Sequence, residues 1–469
     1  MKKTLVIINE PFTEMVLGKN TTLAYILACA NLSDEVYIHN LPENGKIISN
    51  NISESVAVFH LDKKDAAKLA TKFRQKNLEI VNLGVDKNYE KLITLKDEKV
   101  GDFLQKNCLV NLFLPLSEVD FIIQRLEPMK APFPPLGKEN INLVLQQLKK
   151  LFPKFIFNCP IDLHDKEIPQ EINHILKKSI ATPTSQFRLD DEDFSLAINA
   201  MTKKYHSIFG KKKNKKIVIK PKNSAQSLGV FALEFTDSGF DLEKLKSQKI
   251  STLLNAQIYK IKNKLKTDEI KKIVTILCYI QRIKDQKIIA EKLVNQINET
   301  TILKTAKELY NEEILVQPFL EGIKSGDIRA NFLKNDQGDF YCLGYTFRSS
   351  FYEETSDDFT TCYSAGKAVS KPISILSAAE KNTLLKQSKM IIEVLNLQLR
   401  QKYKNVVELG ADFILVGDGN SVMLGEINHH CPALIPISEA MGKVDNESAF
   451  YDGGLGFAIK AIKDISKIR

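Results

Sequence analysis

The chain has no long apolar run. The stretch Leu5-Val6-Ile7-Ile8 is interrupted at once by Asn9, Glu10 and Pro11, which leaves it far too short for a membrane span or a signal-peptide core. A first strand is expected there, and a cytoplasmic protein with no membrane partner. Cysteine is sparse and dispersed. The seven, at positions 29, 108, 159, 278, 342, 362 and 431, lack the close pairing of a thiolate zinc site, and an odd, scattered set fits reduced core thiols better than a disulfide framework. Neither the common P-loop spacing nor the dinucleotide-binding glycine pattern occurs. Glycine and proline are both missing from residues 241–310, so nothing there punctuates a helical periodicity.

The formal charge is +9, which raises the question of nucleic acid. The same segment, 241–310, holds 15 Lys and Arg against 8 Asp and Glu, so most of the excess is local. A second run, Lys211-Lys212-Lys213-Asn214-Lys215-Lys216, leads into the apolar Ile217-Val218-Ile219 and reads as a solvated approach to a strand. No recognisable reading element accompanies either run, and no nucleic-acid partner is expected.

At 469 residues, 43% apolar and 26% charged, the chain is long enough for two or three packed subdomains of ordinary globular composition. Residues 1–134 alternate strand and helix, as an N-terminal open α/β unit does. Residues 135–216 form a central region, and 217–464 a further domain interrupted by a helical insertion at about 241–310. The insertion's apolar positions, Ile273, Ile276 and Ile280 among them, need cover from one another, from the parent domain or from a second subunit. A homo-oligomer is expected.

Two constellations carry chemistry. Asp412-Phe413-Ile414-Leu415-Val416, the turn Gly417-Asp418-Gly419-Asn420 and the return Val422 to Asn428 spell a strand, a tight turn and a strand. Period two places Glu426 and Asn428 on one side, where with Asp412 they can converge as hard oxygen donors for a divalent cation. A polar hairpin edge without metal is the competing reading. Lys220 emerges from Ile217-Val218-Ile219 and is followed by Pro221 and a polar loop to Gly229. Its ammonium can meet phosphate as a point charge, and the loop's hydroxyls and amides can do the same.

Together with Val316-Gln317-Pro318-Phe319-Leu320, the stretch Gly322 to Arg329, and Phe121-Ile122-Ile123-Gln124-Arg125, these residues resemble the ATP-grasp ligases, and among them the prokaryotic glutathione synthetases. The resemblance implies an ATP-grasp fold and ligation through an acyl phosphate, with γ-glutamylcysteine, glycine and ATP as substrates; a different acid and amine on the same scaffold is the alternative. It further implies that Lys220 contacts the α- and β-phosphates under a loop carrying Ser224, Gln226, Ser227 and Gly229. Gln317, Pro318, Phe319 and Leu320 would bracket adenine, Asp327 would meet the ribose, and Lys166 would replace a second nucleotide-contacting lysine. Arg329 would stabilise the γ-phosphoryl during transfer. Asp412, Glu426 and Asn428 would hold Mg²⁺ or Mn²⁺, and Arg125, Arg348, Gly366 and Lys367 would lie toward the acid substrate. The acidic run Glu353-Glu354-Thr355-Ser356-Asp357-Asp358 departs from the family, because a doubly carboxylated substrate would be repelled there unless those acids face water.

Overall fold

The computed structural model describes residues 3–18, 20–41, 55–85, 98–101, 103–104, 108–127, 137–152, 154, 156–161, 166–188, 215–221, 231–235, 313–350, 368–371, 373–429 and 455–467. The expected insertion at 241–310 lies outside them, as do Ser224, Gln226, Ser227, Gly229, Gly366 and Lys367. The chain divides into two compact units. One comprises Met1–Lys178, Asp327–Ser349 and Val369–Arg469, the other Ser179–Gly326 and Ser350–Ala368. Among the described residues no helix is long and apolar enough to cross a membrane.

The first unit begins with strand β1 (Lys3–Ile8), whose run Leu5 to Ile8 is apolar at every position and buried. Such a strand must be covered on both faces. Val6 and Ile8 pack with helix α1 (Thr21–Leu32), and Leu5 and Ile7 pack with Ile141, Val144 and Leu145 of helix α3 (Gly137–Leu151). Asn20 caps α1 by accepting from the Leu23 amide at 2.7 Å and holds Glu10 through its own amide at 2.9 Å. That satisfies one orphan donor of the first turn. Strands β2 (Glu35–Asn40), β3 (Ser55–Leu61), β4 (Cys108–Pro115), β5 (Phe121–Arg125) and β6 (Ile156–Phe157) complete a six-stranded sheet in the order β4-β3-β2-β1-β5-β6. Its β2, β1, β5 and β6 run parallel, while β3 and β4 join antiparallel. Helix α2 (Lys63–Val85) follows β3.

The second unit carries β7 (Ser185–Arg188), β8 (Lys215–Pro221), β9 (Phe231–Phe235) and β10 (Glu313–Pro318), ordered β7-β10-β8-β9 with every neighbouring pair antiparallel. The chain then returns to the first unit through β11 (Asp327–Lys334), β12 (Phe340–Ser350), β13 (Ala368–Lys371), β14 (Glu408–Leu415) and β15 (Val422–Asn428), a five-stranded sheet in the order β13-β12-β11-β14-β15. Helix α4 (Ile168–Leu176) precedes the second unit. Helix α5 (Ala378–Leu397) leads into β14, its start fixed by a reciprocal box between Ser377 and Glu380. Helix α6 (Leu455–Lys467) closes the chain and packs against α1, and Leu333 and Val407 from the five-stranded sheet join the same core.

A buried polar network joins the two sheets of the first unit. Arg125, at the end of β5 and 1% exposed, is ion-paired with Glu408 at the head of β14, itself fully buried. The Tyr25 hydroxyl donates to the other Glu408 oxygen at 2.5 Å, and the Arg125 guanidinium lies 4.4 Å from the centre of the Tyr25 ring. Asn158 sits beside them in the left-handed region, at a φ of 58° that asparagine tolerates. Its side-chain oxygen accepts from the amides of Val407 and Glu408, its side-chain nitrogen donates to the His429 carbonyl at 3.1 Å, and its own carbonyl accepts from Gln124. Breaking one half of a buried ion pair leaves an uncompensated charge. Glu408→Ala is therefore expected to lower the unfolding free energy by about 3–5 kcal/mol in a denaturant titration. Arg125→Met combined with Glu408→Met is expected to lose less than either single change.

Candidate functional site

The five-stranded sheet builds its functional face by register. The turn at Asp336–Asp339, together with a one-residue register shift between Asn331 and Phe332, sets Asp327 of β11 opposite Arg348 of β12, and Arg329 opposite Thr346. On the other side of β11, Arg329 stands opposite Asp412 of β14, and Asp412 opposite Glu426 of β15. Residues directly opposite one another share a face, so these side chains lie together, as does Asn428, which pairs with Gly410.

Glu426 and Asn428 reach that face because one extra residue is set aside from the ladder. Phe413 pairs with Leu424 while Asp412 pairs with Glu426, so Gly425 is bulged out of the ladder. Were Gly425 instead paired with Asp412, strict alternation would turn Glu426 to the opposite side. The site at 425 is tight, since a Cβ there would stand 3.0 Å from Ile414 Cδ1 and 3.3 Å from the Asp412 carbonyl oxygen. The alternation expected from sequence for Glu426 and Asn428 holds, and the bulge is what aligns it with Asp412.

The resulting charges alternate. Arg329 grips Asp412 with two bonds, Nε to Oδ1 at 2.7 Å and Nη2 to Oδ2 at 2.6 Å. Arg348 grips Asp327 in the same bidentate manner, Nε to Oδ1 at 2.7 Å, and its Nη2 also lies 3.0 Å from Asp412 Oδ1. Planar forks of this kind fix both partners in direction as well as distance. Burial works to raise the Asp412 carboxyl, and the Arg329 and Arg348 guanidiniums overcome it, holding the group below the usual carboxylate range. Asn428 Nδ2 donates to Asp412 Oδ2 at 2.8 Å and to Glu426 Oε1 at 3.2 Å.

Three carboxylates thus face two guanidiniums, with an amide spanning two of the acids. The Asn428 amide is within hydrogen-bond length of both Asp412 and Glu426, and all three side chains offer oxygen, the ligand type of Mg²⁺. They fit such an ion once the Asn428 amide turns to present its oxygen and Asp412 shares its charge between ion and arginine. Among the described residues, no group of three or more Asp, Glu, His or Cys forms a metal cluster by itself, so the amide of Asn428 is needed to complete a ligand set.

The second unit holds the remaining described positions. Lys220 pairs with Leu315, and Val218 with Gln317, so Lys220 and Gln317 share one face of the four-stranded sheet. Both are buried, and Gln317 Nε2 donates to Thr184 Oγ1 at 2.7 Å. Phe319 and Leu320 bury their side chains, which leaves backbone groups as what the stretch from Pro318 can offer a ligand. Lys166, buried just ahead of α4, belongs to the first unit. Arg125 is placed away from the charged ladder, in the core with Glu408. Arg348 belongs to the ladder itself, on a strand that continues to Ser350. A regular count outward from the turn at 336–339 pairs 327 with 347; a one-residue shift between Asn331 and Phe332, which sets Leu343 aside, moves the partner to 348. Sequence reasoning also passed over Glu408, four residues before Asp412.

No protein-family model matches the chain, and no curated protein matches it. Among solved structures, the chain is similar to D-cycloserine synthetase at 8% identity, covering 99% of each chain with a TM-score of 0.47. It is also similar to the D-alanine-D-alanine ligase of Coxiella burnetii at 11% identity, covering 92% of this chain and 86% of that one with a TM-score of 0.39. The biotin carboxylase domain of the Hydrogenobacter thermophilus 2-oxoglutarate carboxylase matches at 11% identity, over 98% of this chain and 69% of that one, with a TM-score of 0.44. Likenesses this loose carry no inference about activity.

The lowered Asp412 carboxyl makes a pH prediction. A group whose folded pKa is depressed contributes stability above its unfolded value, about 3.9 for Asp, and loses it as pH falls through the lower folded value. The stability difference between the wild type and Asp412→Asn is expected to be constant above about pH 5 and to shrink below about pH 4. Urea titrations at several pH values check it, and a difference that grows on acidification would contradict the ion-pair assignment.

Proposed function

We propose that the chain is an ATP-dependent carboxylate–amine ligase of the ATP-grasp type. The observation that carries this reading is the ladder on the five-stranded sheet, where Asp412, Glu426 and Asn428 converge and Arg329 clasps Asp412 from the neighbouring strand. Collecting three carboxylates and two guanidiniums on one half-buried surface is costly to a fold. Oxygen ligands beside a directed guanidinium are what phosphoryl transfer needs.

In this reading a substrate carboxylate oxygen attacks the γ-phosphorus of ATP, the bond to the β,γ-bridging oxygen breaks, and ADP leaves. The acyl phosphate is then attacked by an amine nitrogen, inorganic phosphate departs, the nitrogen loses a proton, and an amide remains. No covalent enzyme nucleophile is required; positioning and electrostatics supply the catalysis. Arg329 serves to stabilise charge on the transferring group, a role its bidentate clasp of Asp412 beside Glu426 and Asn428 supports. Lys220 serves the α- and β-phosphates as a point charge, with Ser224, Gln226, Ser227 and Gly229 assigned to the covering loop. The backbone from Gln317 to Leu320 serves adenine, Asp327 the ribose and Lys166 the nucleotide. A Mg²⁺ or Mn²⁺ ion held by Asp412, Glu426 and Asn428 would neutralise repulsion between phosphate and the incoming carboxylate.

Within this class, joining γ-glutamylcysteine to glycine is one member, supported by the motif resemblance alone. A different acid and amine pair accords with the acidic run at 353–358. Phosphate release measured with ATP across a panel of acids and amines, with product masses, decides between them. An added mass equal to acid plus amine less water is expected for one pair, and no release with any acid would refute the ligase reading.

The separate roles predict separate kinetics. Lys220→Ala is expected to raise the KM for ATP about tenfold with a smaller change in kcat, because a charge on nonreacting phosphates binds ground and transition states alike. Arg329→Ala is expected to lower kcat at least about tenfold. Glu426→Gln and Asn428→Ala are expected to weaken Mn²⁺ binding in paramagnetic resonance titrations as well as turnover. Unchanged metal affinity in both would remove these residues from the ligand set.

A further inference from the structure

We propose that Asn331 and Thr346 seat a neutral amide group of the acid substrate, so that the carboxylate being activated belongs to a peptide-like or N-acylated acid. This deepens the ligase reading and rests on it. Asn331 lies two residues beyond Arg329 on β11, and Thr346 stands directly opposite Arg329 on β12. By strand alternation both are on the face that carries Asp412 and Asn428.

Both are polar side chains in the interior without a partner. Asn331 is 1% exposed, and among the described residues neither its Oδ1 nor its Nδ2 has a hydrogen-bond partner. Thr346 is fully buried, and its Oγ1 is unpartnered in the same sense. Buried polar atoms are seldom left so, and each such group asks for an explanation. The register supplies a local one. The residues opposite Asn331 are Gly344 on one side and Gly410 on the other. A carboxamide flanked by two glycines has no side chain directly opposite it to bond with.

The chemistry of the pair selects the ligand. Asn offers one acceptor and two donor hydrogens, Thr a hydroxyl that can do either. Neither carries charge, and the nearby charged groups are engaged with each other, Arg329 with Asp412 and Arg348 with Asp327. A charged group brought here would be buried without a counter-charge, which is far costlier than burying a neutral polar one. A neutral group with both a donor and an acceptor is complementary, and an amide meets that description. Lying beside Arg329, the seat would hold the acid at a distance from the transferring phosphoryl that is set by the sheet, not by a loop.

The test uses the full-length protein with ATP and excess hydroxylamine, so that no knowledge of the natural amine is needed, and measures phosphate release. The acids are N-acetylamino acids and γ-glutamyl amino acids, each compared with its ketomethylene isostere, in which CH₂ replaces the amide NH. The wild type is expected to favour the amide acids in kcat/KM by about 10- to 100-fold. Asn331→Leu is expected to erase the preference while leaving the KM for ATP unchanged, and Thr346→Val to reduce it in part. Thermal melting reports whether each variant is folded; should Asn331→Leu fail to fold, the near-isosteric Thr346→Val carries the comparison. Equal use of amide and isostere by the wild type overturns the seat alone, as does a preference retained in the variants or a higher melting temperature of Asn331→Leu with unaltered selectivity, which would mean that the pair holds only water. No phosphate release with any acid refutes the ligase reading, and the seat with it.

Discussion

The first unit depends on the ion pair between Arg125 and Glu408. One partner ends a strand of the N-terminal sheet and the other begins a strand of the C-terminal one, so the two sheets are pinned at a single buried point. Buried charges stabilise only when their remaining bonding capacity is met. Here Tyr25 bonds the second carboxylate oxygen and stacks beneath the guanidinium, and Asn158 fixes the backbone where Glu408 begins. Because Glu408 and Asp412 lie on the same strand and face, whatever sets the position of the first also sets the height of the second. Asn158 reaches the His429 carbonyl as well, one residue beyond Asn428. The charged ladder is therefore held from behind by groups that need never touch a ligand.

The ladder itself is a product of counting. Cross-strand pairing across β12, β11, β14 and β15 brings together residues separated by up to a hundred positions in sequence, and each bidentate fork confirms the register locally. The reciprocal arrangement, with Arg348 touching both Asp327 and Asp412, means that neither aspartate can turn toward a cation without the arginines redistributing. A surface so coupled responds as a unit, and changes within it are not expected to add.

How much of this was legible beforehand differs by element. The apolar run of β1, the cap at α1, the hairpin from β14 to β15 and the convergence of Glu426 with Asn428 all follow from local pattern. Strands β3 and β4 were not legible: β3 is a mixed run, Ser-Val-Ala-Val-Phe-His-Leu, and β4 leaves Phe113 exposed at the sheet margin, so neither shows the alternation of a half-buried strand. The resemblance placed Arg125 near a substrate, whereas its burial with Glu408 is a pairing across 283 positions that no local window contains. Counting from the turn at 336–339 leads to Phe347 and misses Arg348 by the one-residue shift in the hairpin, and Asn331 was out of reach because an orphaned amide is defined by what its neighbours lack.

The bulge at Gly425 has a consequence for what the chain can tolerate. Substitutions on the far side of the five-stranded sheet, where Ile328, Phe332, Phe413 and Leu424 are buried, change how well a layer packs. Losing the bulge while keeping the residue does something different in kind: were Gly425 drawn into the ladder opposite Asp412, the two faces would exchange beyond it, sending a carboxylate and an amide into that apolar layer and an isoleucine, Ile427, onto the charged one. What this short segment must keep is a pairing and not a length, since even the loss of Gly425 itself would leave Leu424 opposite Phe413 and Glu426 opposite Asp412.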